Sequence, residues 1–437
     1  MKTVLLVLLP LLAIAQEPNW TETDKHSVEL LQKYVRIPSI NPPADTRATA
    51  DLLTAELENA GLKVTLYQPD TSHCVNLITR LEGRDRSVKP LLLLTHMDVV
   101  PVDAKAWSVN PFGAEIKDGF IWGRGTLDMK GVGVQQVMAL TLLKRLKIVP
   151  SRDIVLMATC DEETNGPMGV KWMMANLWDE LNPAYVLDEG GLGSYDVLSA
   201  NKLIFGISVG EKQSSWLRLR AKGTAGHGSQ PIADNANDIL LAAINKAVAL
   251  PPTTKRHLIM DEMVQNVGTL AKNKFTNAIQ GNTISLTTLR AGVGDPPKAN
   301  VIPSSSEATL DCRLLPGVNS AEFISDVKAR INDPRVTVEL ISDPMDTGVS
   351  NSKTPLFAAV KAAIVKHHPS AVVTPMLVPY GTDARNFRAK GVPSYGLLPM
   401  VIDAATLATM HSDAERIPIA EFLKGVRIYF DVLRSNF

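Results

Sequence analysis

Residues 90–98 of the chain read PLLLLTHMD, a proline and four leucines followed by a histidine and an aspartate two positions apart. The run Pro90 to Thr95 has the composition of a strand that is apolar on both faces. Such a strand is typical of a sheet that is covered by helices on each side. This stretch therefore predicts an α/β fold, with His96 and Asp98 at the end of a central strand.

Strands and helices alternate around this run, as expected for an α/β chain. The spacing of apolar residues predicts helices over 27–34, 47–60, 129–145, 356–367 and 420–433, and strands over 64–67, 75–80 and 153–159.

The middle of the chain has a different pattern, with longer amphipathic strands and fewer helices. The predicted order is β-α-β-β-α-β, which is that of a ferredoxin-like unit. We expect residues 16–203 and 343–437 to form one domain of mixed-sheet type, interrupted by an inserted domain at 204–342. The predicted elements of the insert are strands over 214–221, 283–290, 307–314 and 336–341, and helices over 235–250 and 321–331.

The first fifteen residues have the pattern of a cleaved signal peptide. Lys2 precedes an apolar run, Val4 to Leu12, and Ala13-Ile14-Ala15 is a small-x-small cleavage site. An uncleaved anchor is the alternative, but the run is shorter than the ~20 residues that span a bilayer. We expect a periplasmic or secreted protein without stable membrane insertion.

Charge and cysteine content narrow the function further. The 437 residues contain 45 Lys and Arg against 45 Asp and Glu, so no basic footprint for nucleic acid is present. Small molecules are the expected partners. Cys74, Cys160 and Cys312 are widely spaced, which favours buried inert thiols over a disulfide framework, although a single Cys74–Cys160 bridge stays open in an oxidising compartment.

Carboxylates and histidines recur where apolar stretches end. In open α/β sheets, ligands bind outside the carboxyl ends of the strands, and three acidic loops plus His96 would converge there. Like charges in such a cluster repel one another unless cations are bound. Histidine and carboxylate ligands without cysteine suit catalytic zinc, and two metals bridged by one carboxylate can share a water nucleophile. The acidic loops are 124–131, 161–166 and 188–191.

Six motifs in this order resemble the zinc family of aminoacylase, carboxypeptidase G and succinyl-diaminopimelate desuccinylase. The resemblance runs from about residue 28 to the C-terminus. The motifs are His96-x-Asp98, Gly123-Arg124-Gly125-x-x-Asp128-Met129-Lys130-Gly131, Asp161-Glu162-Glu163, Asp188-Glu189-Gly190, Gly226-His227-Gly228-Ser229-x-Pro231 and the late His411.

The resemblance implies two zinc ions per subunit, with cobalt or manganese as possible substitutes. It implies that Asp128 bridges the metals, with His96 and Glu189 on one and Glu163 and His411 on the other. Asp188 stays an alternative to Glu189, because adjacent carboxylates cannot be separated by sequence. Many members have Gly and Asn after the late histidine, whereas Ser412-Asp413 stands here before Glu415-Arg416.

The same resemblance implies roles around the metals. Asp98 would orient His96, and Glu162 would be the general base. His227, in the insert, would stabilise the oxyanion in the site of a second copy, which implies a homodimer and makes the insert a lid and dimerisation domain. The substrate carboxylate would bind Arg313 or Arg385, with Asn282 as a weaker polar contact.

The sequence thus predicts an exported di-zinc hydrolase that cleaves an amide or peptide bond beside a free carboxylate. Carboxypeptidase, dipeptidase and N-acyl-amino-acid deacylase activities all stay open. A di-zinc aminopeptidase is an alternative that the inserted domain disfavours. An inactive peptide-binding protein is another, but it would be expected to have lost Glu162 or a metal ligand.

Overall fold

The computed structural model of the protein describes residues 17–70, 73–250 and 256–437. The predicted signal peptide, residues 1–15, lies outside the described residues. Among the described helices, none has the length and apolar character needed to cross a membrane.

The first part of the chain alternates helices and strands as predicted, and an irregular turn over Thr126–Lys130 precedes its third helix. The elements are α1 (Trp20–Val35), α2 (Arg47–Asn59), β1 (Val64–Tyr67), β2 (Asn76–Leu81), β3 (Leu91–His96), β4 (Glu115–Lys117), β5 (Phe120–Trp122), α3 (Gly131–Arg145), β6 (Ile154–Thr159), α4 (Val170–Leu181), β7 (Tyr185–Asp188), β8 (Leu192–Ser194) and β9 (Ile204–Glu211).

The remaining elements are β10 (Gln213–Ser214), β11 (Leu217–Lys222), β12 (Gly226–His227), α5 (Ala236–Val248), α6 (Leu258–Val267), α7 (Lys274–Gln280), β13 (Thr283–Arg290), β14 (Val301–Ile302), β15 (Ser305–Leu314), α8 (Ser320–Ile331), β16 (Val336–Leu340), α9 (Pro355–His367), β17 (Val372–Val378), α10 (Ala384–Arg388), β18 (Ser394–Gly396), α11 (Ala404–Leu407), β19 (Arg416–Pro418) and α12 (Ile419–Arg434).

A mixed sheet forms the centre of the molecule, with strand order β1-β2-β6-β3-β7-β18-β9-β17 and β8 beside β9. Every residue of β3 is buried. Leu91 and Leu93 pack into one hydrophobic core, whereas Leu92 and Leu94 pack into a second core on the opposite face. The α/β prediction from the leucine run is therefore confirmed, because both faces of the sheet are covered.

A second, antiparallel sheet lies in the middle of the chain. β11 pairs with both β15 and β16, and β13 pairs with the other edge of β15, so the order is β16-β11-β15-β13. Residues of α5 and α8 join one face of this sheet in a separate core. We call this sheet with α5 and α8 the small unit.

The structure moves the predicted boundary at residue 204. β9 pairs in parallel with β17 in the large sheet, and all of its residues are buried. Residues of α6 and α7, Met260 and Ile279 among them, also belong to the large core. The prediction that the insert begins at residue 204 was therefore wrong, because a strand buried on both faces is stable only inside the large sheet.

Cys74 and Cys160 form a disulfide, whereas Cys312 is a buried free thiol. The prediction of buried inert thiols is therefore wrong for Cys74 and Cys160. Cys74 precedes β2 and Cys160 follows β6. These strands pair antiparallel with Leu77 opposite Ala158, which brings the two cysteines together.

Candidate metal centre

His96 stands at the carboxyl end of β3, and both of its ring nitrogens have partners. Nδ1 lies 3.0 Å from the backbone oxygen of Asp98 and 3.5 Å from its Oδ1. If Nδ1 carries the proton and donates it there, Nε2 is left to act as a ligand. Nε2 points at Asp128. Asp98 therefore holds the ring in the orientation that the sequence predicted.

Asp128 sits in the irregular turn Thr126–Lys130 before α3 and lies between two histidines. Its Oδ1 is 3.0 Å from Nε2 of His96, and its Oδ2 is 3.0 Å from Nε2 of His411. Each carboxylate oxygen thus faces a different imidazole. This is the arrangement expected of a carboxylate that bridges two cations.

A further carboxylate accompanies each histidine. Glu189 Oε1 lies 3.6 Å from Nε2 of His96, and Glu163 Oε2 lies 3.4 Å from Nε2 of His411. Oε1 of Glu163 is buried and has no hydrogen-bond partner among the described residues. A buried carboxylate oxygen without a donor is costly unless a cation or proton satisfies it. We call these five residues, His96, Asp128, Glu163, Glu189 and His411, the metal-ligand cluster.

Asp188 and Glu189, which the sequence could not separate, have different surroundings. Asp188 Oδ2 accepts a hydrogen bond of 2.7 Å from the backbone N–H of Ala384, so this carboxylate turns toward α10. Glu189 faces His96 instead. The geometry favours Glu189 as the ligand.

Glu162 borders the cluster from the same loop as Glu163. One of its oxygens lies within 4.8 Å of ligand atoms of His96 and Glu189. Burial raises the pKa of Glu162 well above its usual range, and the neighbouring carboxylates of Glu189 and Asp383 add to this effect. A carboxyl group with a raised pKa suits proton transfer near neutral pH.

Charge in the cluster is strongly coupled. Burial alone would lower the pKa of His96, but its hydrogen bonds to Asp128 and Asp98 raise the pKa well above its usual value. The hydrogen bond to Asp128 likewise raises the pKa of His411 to about 10. Positive charge beside Asp128 is therefore strongly favoured. With hard oxygen and imidazole donors, this donor set fits metal cations.

Sequence reasoning missed several residues that hold the ligands in place. Glu415, which is buried, accepts 2.7 Å and 2.9 Å hydrogen bonds from Arg124 Nη1 and the backbone N–H of Leu127. This pair fixes the turn that carries Asp128. Both residues stood in recognised motifs, but nothing in the sequence indicated that they pair.

Asn41 is a second missed residue. Its Nδ2 donates to Asp98 Oδ2 at 2.8 Å and to Asp161 Oδ1 at 3.2 Å, so one amide stabilises two buried carboxylates. No pattern around Asn41 in the sequence signalled this contact.

The residues predicted to bind the substrate do not all lie beside the metal-ligand cluster. Arg385 contacts Asn165 in the acidic loop 161–166, and its Nε is buried without a hydrogen-bond partner among the described residues. Arg313 instead lies on β15, where Asp311 accepts from its Nε at 2.7 Å and from its Nη2 at 3.1 Å. Asn282 accepts from the backbone N–H of Leu315.

His227 lies exposed on β12, away from the described contacts of the cluster. Its Nδ1 accepts from the backbone N–H of Ser229 at 3.2 Å. Accepting at Nδ1 places the ring proton of neutral His227 on Nε2, which leaves an N–H donor facing outward.

Comparisons with known proteins agree with this centre. Residues 92–435 match the family model of peptidase family M20/M25/M40. The chain is 30% identical over 423 residues to aminoacylase-1 of Sus scrofa, which covers 95% of this chain and 96% of that protein. It is 29% identical to a probable carboxypeptidase S-like protein of Dictyostelium discoideum over 83% of this chain and 74% of the relative.

A solved structure shares the fold. The metallo-carboxypeptidase Sso-CP2 of Sulfolobus solfataricus superposes with a TM-score of 0.71 at 18% identity, covering 93% of this chain and 98% of that one. The family match, the relatives and the donor set agree. The chain is a metal-dependent hydrolase that belongs to peptidase family M20/M25/M40.

Proposed function

We propose that this chain is an exported di-zinc hydrolase that cleaves an amide or peptide bond adjacent to a free carboxylate. The observation that carries the proposal is Asp128, with one oxygen on His96 and the other on His411, and a further carboxylate beside each histidine. His96, Glu189 and Asp128 would hold one zinc, and Glu163, His411 and Asp128 the other. Carboxylate and imidazole donors without thiolates are those of catalytic zinc.

The bound metal pair would supply Lewis acidity that activates a water and polarises the scissile carbonyl. Glu162 accepts the proton of the attacking water and delivers it to the leaving amine. Its raised pKa makes both transfers feasible near neutral pH. Asp98 keeps the His96 ring in place during the reaction, and closure around the site would exclude water.

The substrate carboxylate is bound by arginine in this proposal. Arg385 on α10 contacts Asn165 of the acidic loop, whereas Arg313 on the small unit contacts Ser214 and Asp311. A planar guanidinium binds a carboxylate through two parallel hydrogen bonds, which selects substrates with a free carboxylate. Asn282 is an additional polar contact candidate. Aminoacylase-1 as a relative over most of the chain supports N-acyl amino acids as the substrates to test first, with dipeptides next.

The small unit is the proposed ferredoxin-like lid and dimerisation domain. Its strand order, β16-β11-β15-β13, supports the ferredoxin-like part. β13 lies at one edge of this sheet with Leu286 and Leu289 exposed. An exposed apolar edge strand is a ready site for pairing with another chain. A homodimer would cover it and deliver the exposed Nε2–H of His227 to the partner's oxyanion.

Export rests on the signal-peptide pattern of residues 1–15, and the Cys74–Cys160 disulfide supports it. Disulfides form and persist in oxidising compartments such as the periplasm or the extracellular space. The proposed location is therefore periplasmic or secreted.

The decisive experiment compares the purified protein with Glu162→Gln. Zinc content is measured by mass spectrometry, and amino-acid release is measured on N-acyl amino acids and dipeptides, each with and without the free carboxylate. We expect about two zinc ions per chain in both proteins. Only the unmutated protein should cleave, and only substrates with the carboxylate.

Glu58→Gln is the matched control, because Glu58 is an exposed glutamate on α2. It should behave as the unmutated protein. Cleavage of substrates that lack the carboxylate but carry a free amine would favour the aminopeptidase alternative. Zinc binding without any cleavage would favour the inactive peptide-binding protein.

A further inference from the structure

We propose that the Cys74–Cys160 disulfide is a positioning element for Glu162 and Glu163, and not only a brace for the fold. The inference rests on the proposed function, because it concerns the residues assigned as general base and metal ligand. Cys160 is the residue directly before the loop Asp161–Gly166, which we call the catalytic loop. The disulfide therefore anchors this loop at the point where it leaves β6.

Both ends of the catalytic loop are tied to the same place. Cys74 and Cys160 are fully buried and cluster with Ala44, and Met168 packs against them. The side-chain oxygen of Asn76 accepts from the backbone N–H of Cys160 at 3.0 Å, while its Nδ2 donates to the backbone oxygen of Met168 at 2.9 Å. The disulfide lies at the centre of this anchor.

The backbone inside the loop is held in an uncommon conformation. Asp161, between Cys160 and Glu162, has a φ of 77°. A residue other than glycine adopts this left-handed backbone conformation only when its surroundings hold it there. Oδ2 of Asp161 accepts from the backbone N–H of Met168 at 3.1 Å, and Oδ1 accepts from Thr164 Oγ1 at 2.7 Å. Release of Cys160 would let Asp161 relax and turn the following glutamates.

A shift of the loop reaches the metal-ligand cluster by a short path. The backbone N–H groups of Glu162 and Glu163 donate to Asp98, at 3.3 Å and 3.1 Å. Asp98 in turn contacts His96. The covalent link at Cys160 thus lies two positions before the proposed general base, Glu162, and three before the predicted metal ligand Glu163.

The test compares Cys74→Ala/Cys160→Ala with Cys312→Ala. Cys312 is a buried thiol without a disulfide in the core of the small unit, so it controls for the loss of a buried sulfur. Zinc content, kcat, KM and the melting temperature are measured on each protein. Hydrogen exchange of residues 160–168 is measured by mass spectrometry.

We expect kcat per zinc-loaded site to fall about tenfold to a hundredfold in the double variant, because misplacement of a catalytic group by about 1 Å has an effect of this size. KM should change less than kcat, since neither arginine is substituted and only the contact of Arg385 with Asn165 lies in the loop. Exchange should increase in residues 160–168 and not in β11 or β15. Cys312→Ala should leave kcat and the exchange of the loop unchanged.

An unchanged kcat with a lower melting temperature would show a purely structural disulfide and overturn the inference, as would exchange that rises equally throughout the chain. If the unmutated protein cleaves no substrate, the proposed function fails, and the exchange experiment still decides whether the disulfide holds the loop.

If the double variant does not fold, the unmutated protein is reduced with a water-soluble phosphine, and the thiols are counted by mass. Reduction breaks the S–S bond and forms two thiols, while the phosphine becomes its oxide with oxygen from water. The same change in loop exchange is expected, and its absence in fully reduced protein would overturn the inference.

Discussion

The metal-ligand cluster and the open face of the small unit differ in how complete they are within one chain. Five residues from loops and strand ends around the large sheet lie close together, and Asp128 contacts two histidines among them. On the small unit, the guanidinium of Arg313 already binds Asp311, and on the separate β12–β14 pair His227 is exposed, with no described contact to the cluster. The proposed metal ligands are therefore already in contact within one chain, whereas Arg313 and His227, which are proposed to contact the substrate, are not among these contacts.

This difference separates two steps of the proposed reaction. Metal binding needs only the large sheet and its loops, which a single chain supplies. Substrate recognition by Arg313 or His227, as proposed, would require a movement of the small unit, a second copy of the chain, or both. Loss of a cluster residue should therefore abolish metal binding, whereas loss of a small-unit residue should leave the metals in place.

The largest effect is expected for Asp128→Ala. Removing the carboxylate between His96 and His411 leaves both metals short of a ligand, so we expect zinc content to fall and hydrolysis to be undetectable. Asp179→Ala, at an exposed position on α4, is the control and should retain both. Full zinc occupancy without Asp128 would contradict the bridging role and remove the basis of the comparison.

His227→Ala tests a residue that lies outside the metal-ligand cluster and is proposed to stabilise the oxyanion. We expect kcat to fall about a hundredfold to a thousandfold with zinc content unchanged, as for other losses of an oxyanion donor. Mixing His227→Ala with Glu162→Gln should then restore about one quarter of the activity, because only mixed dimers contain one intact site. Failure of the mixture to recover activity would mean that the histidine does not act between copies.

Arg385→Lys and Arg313→Lys compare the two sources of the substrate-binding arginine. Each should raise KM about tenfold to a hundredfold, since a charge-assisted hydrogen bond contributes about 1.5–3 kcal/mol and lysine cannot bind bidentately. Steady-state kinetics and zinc analysis are the measurements. An effect of Arg385→Lys alone would mean that the small unit takes no part in carboxylate recognition.

The smallest effect concerns Lys212, which follows β9 where the chain enters the small unit. Its Nζ donates to the backbone oxygen of Ala278 and to Thr283 Oγ1, both at 2.9 Å. Burial lowers the pKa of Lys212 to about 7, and Arg313 contributes.

A lysine with a lowered pKa makes stability rise with pH. Between about pH 7 and the ordinary lysine pKa of about 10.4, the unfolded chain binds a proton that the folded chain does not bind. Below pH 7 both states are protonated, and this dependence disappears. We therefore expect the melting temperature to rise less between pH 7 and 9 in Lys212→Met than in the unmutated protein. Equal slopes would mean that Lys212 stays charged when folded.

Local pattern indicated His96 and the acidic loops, because these follow apolar runs such as 91–94 and 154–159, and strand ends meet at one edge of a sheet. The assignment of Asp128, Glu163, Glu189 and His411 as metal ligands came from the family resemblance. The run 203–209 is equally apolar, so β9 was within reach of the same reasoning. The Cys74–Cys160 bridge could only be left open as an alternative, because it depends on the antiparallel pairing of β2 with β6. The contacts of Asn41 and the Arg124–Glu415 pair likewise depend on tertiary packing, which has no local periodicity.

The contact between Leu127 and Glu415 joins residues 288 positions apart, and His411 comes from the same late segment. The turn that carries Asp128 can therefore take its final form only after the ribosome has translated His411 and Glu415. A nascent chain has no complete metal centre for most of its elongation. For a hydrolase, this order delays the onset of hydrolytic activity until translation is nearly finished.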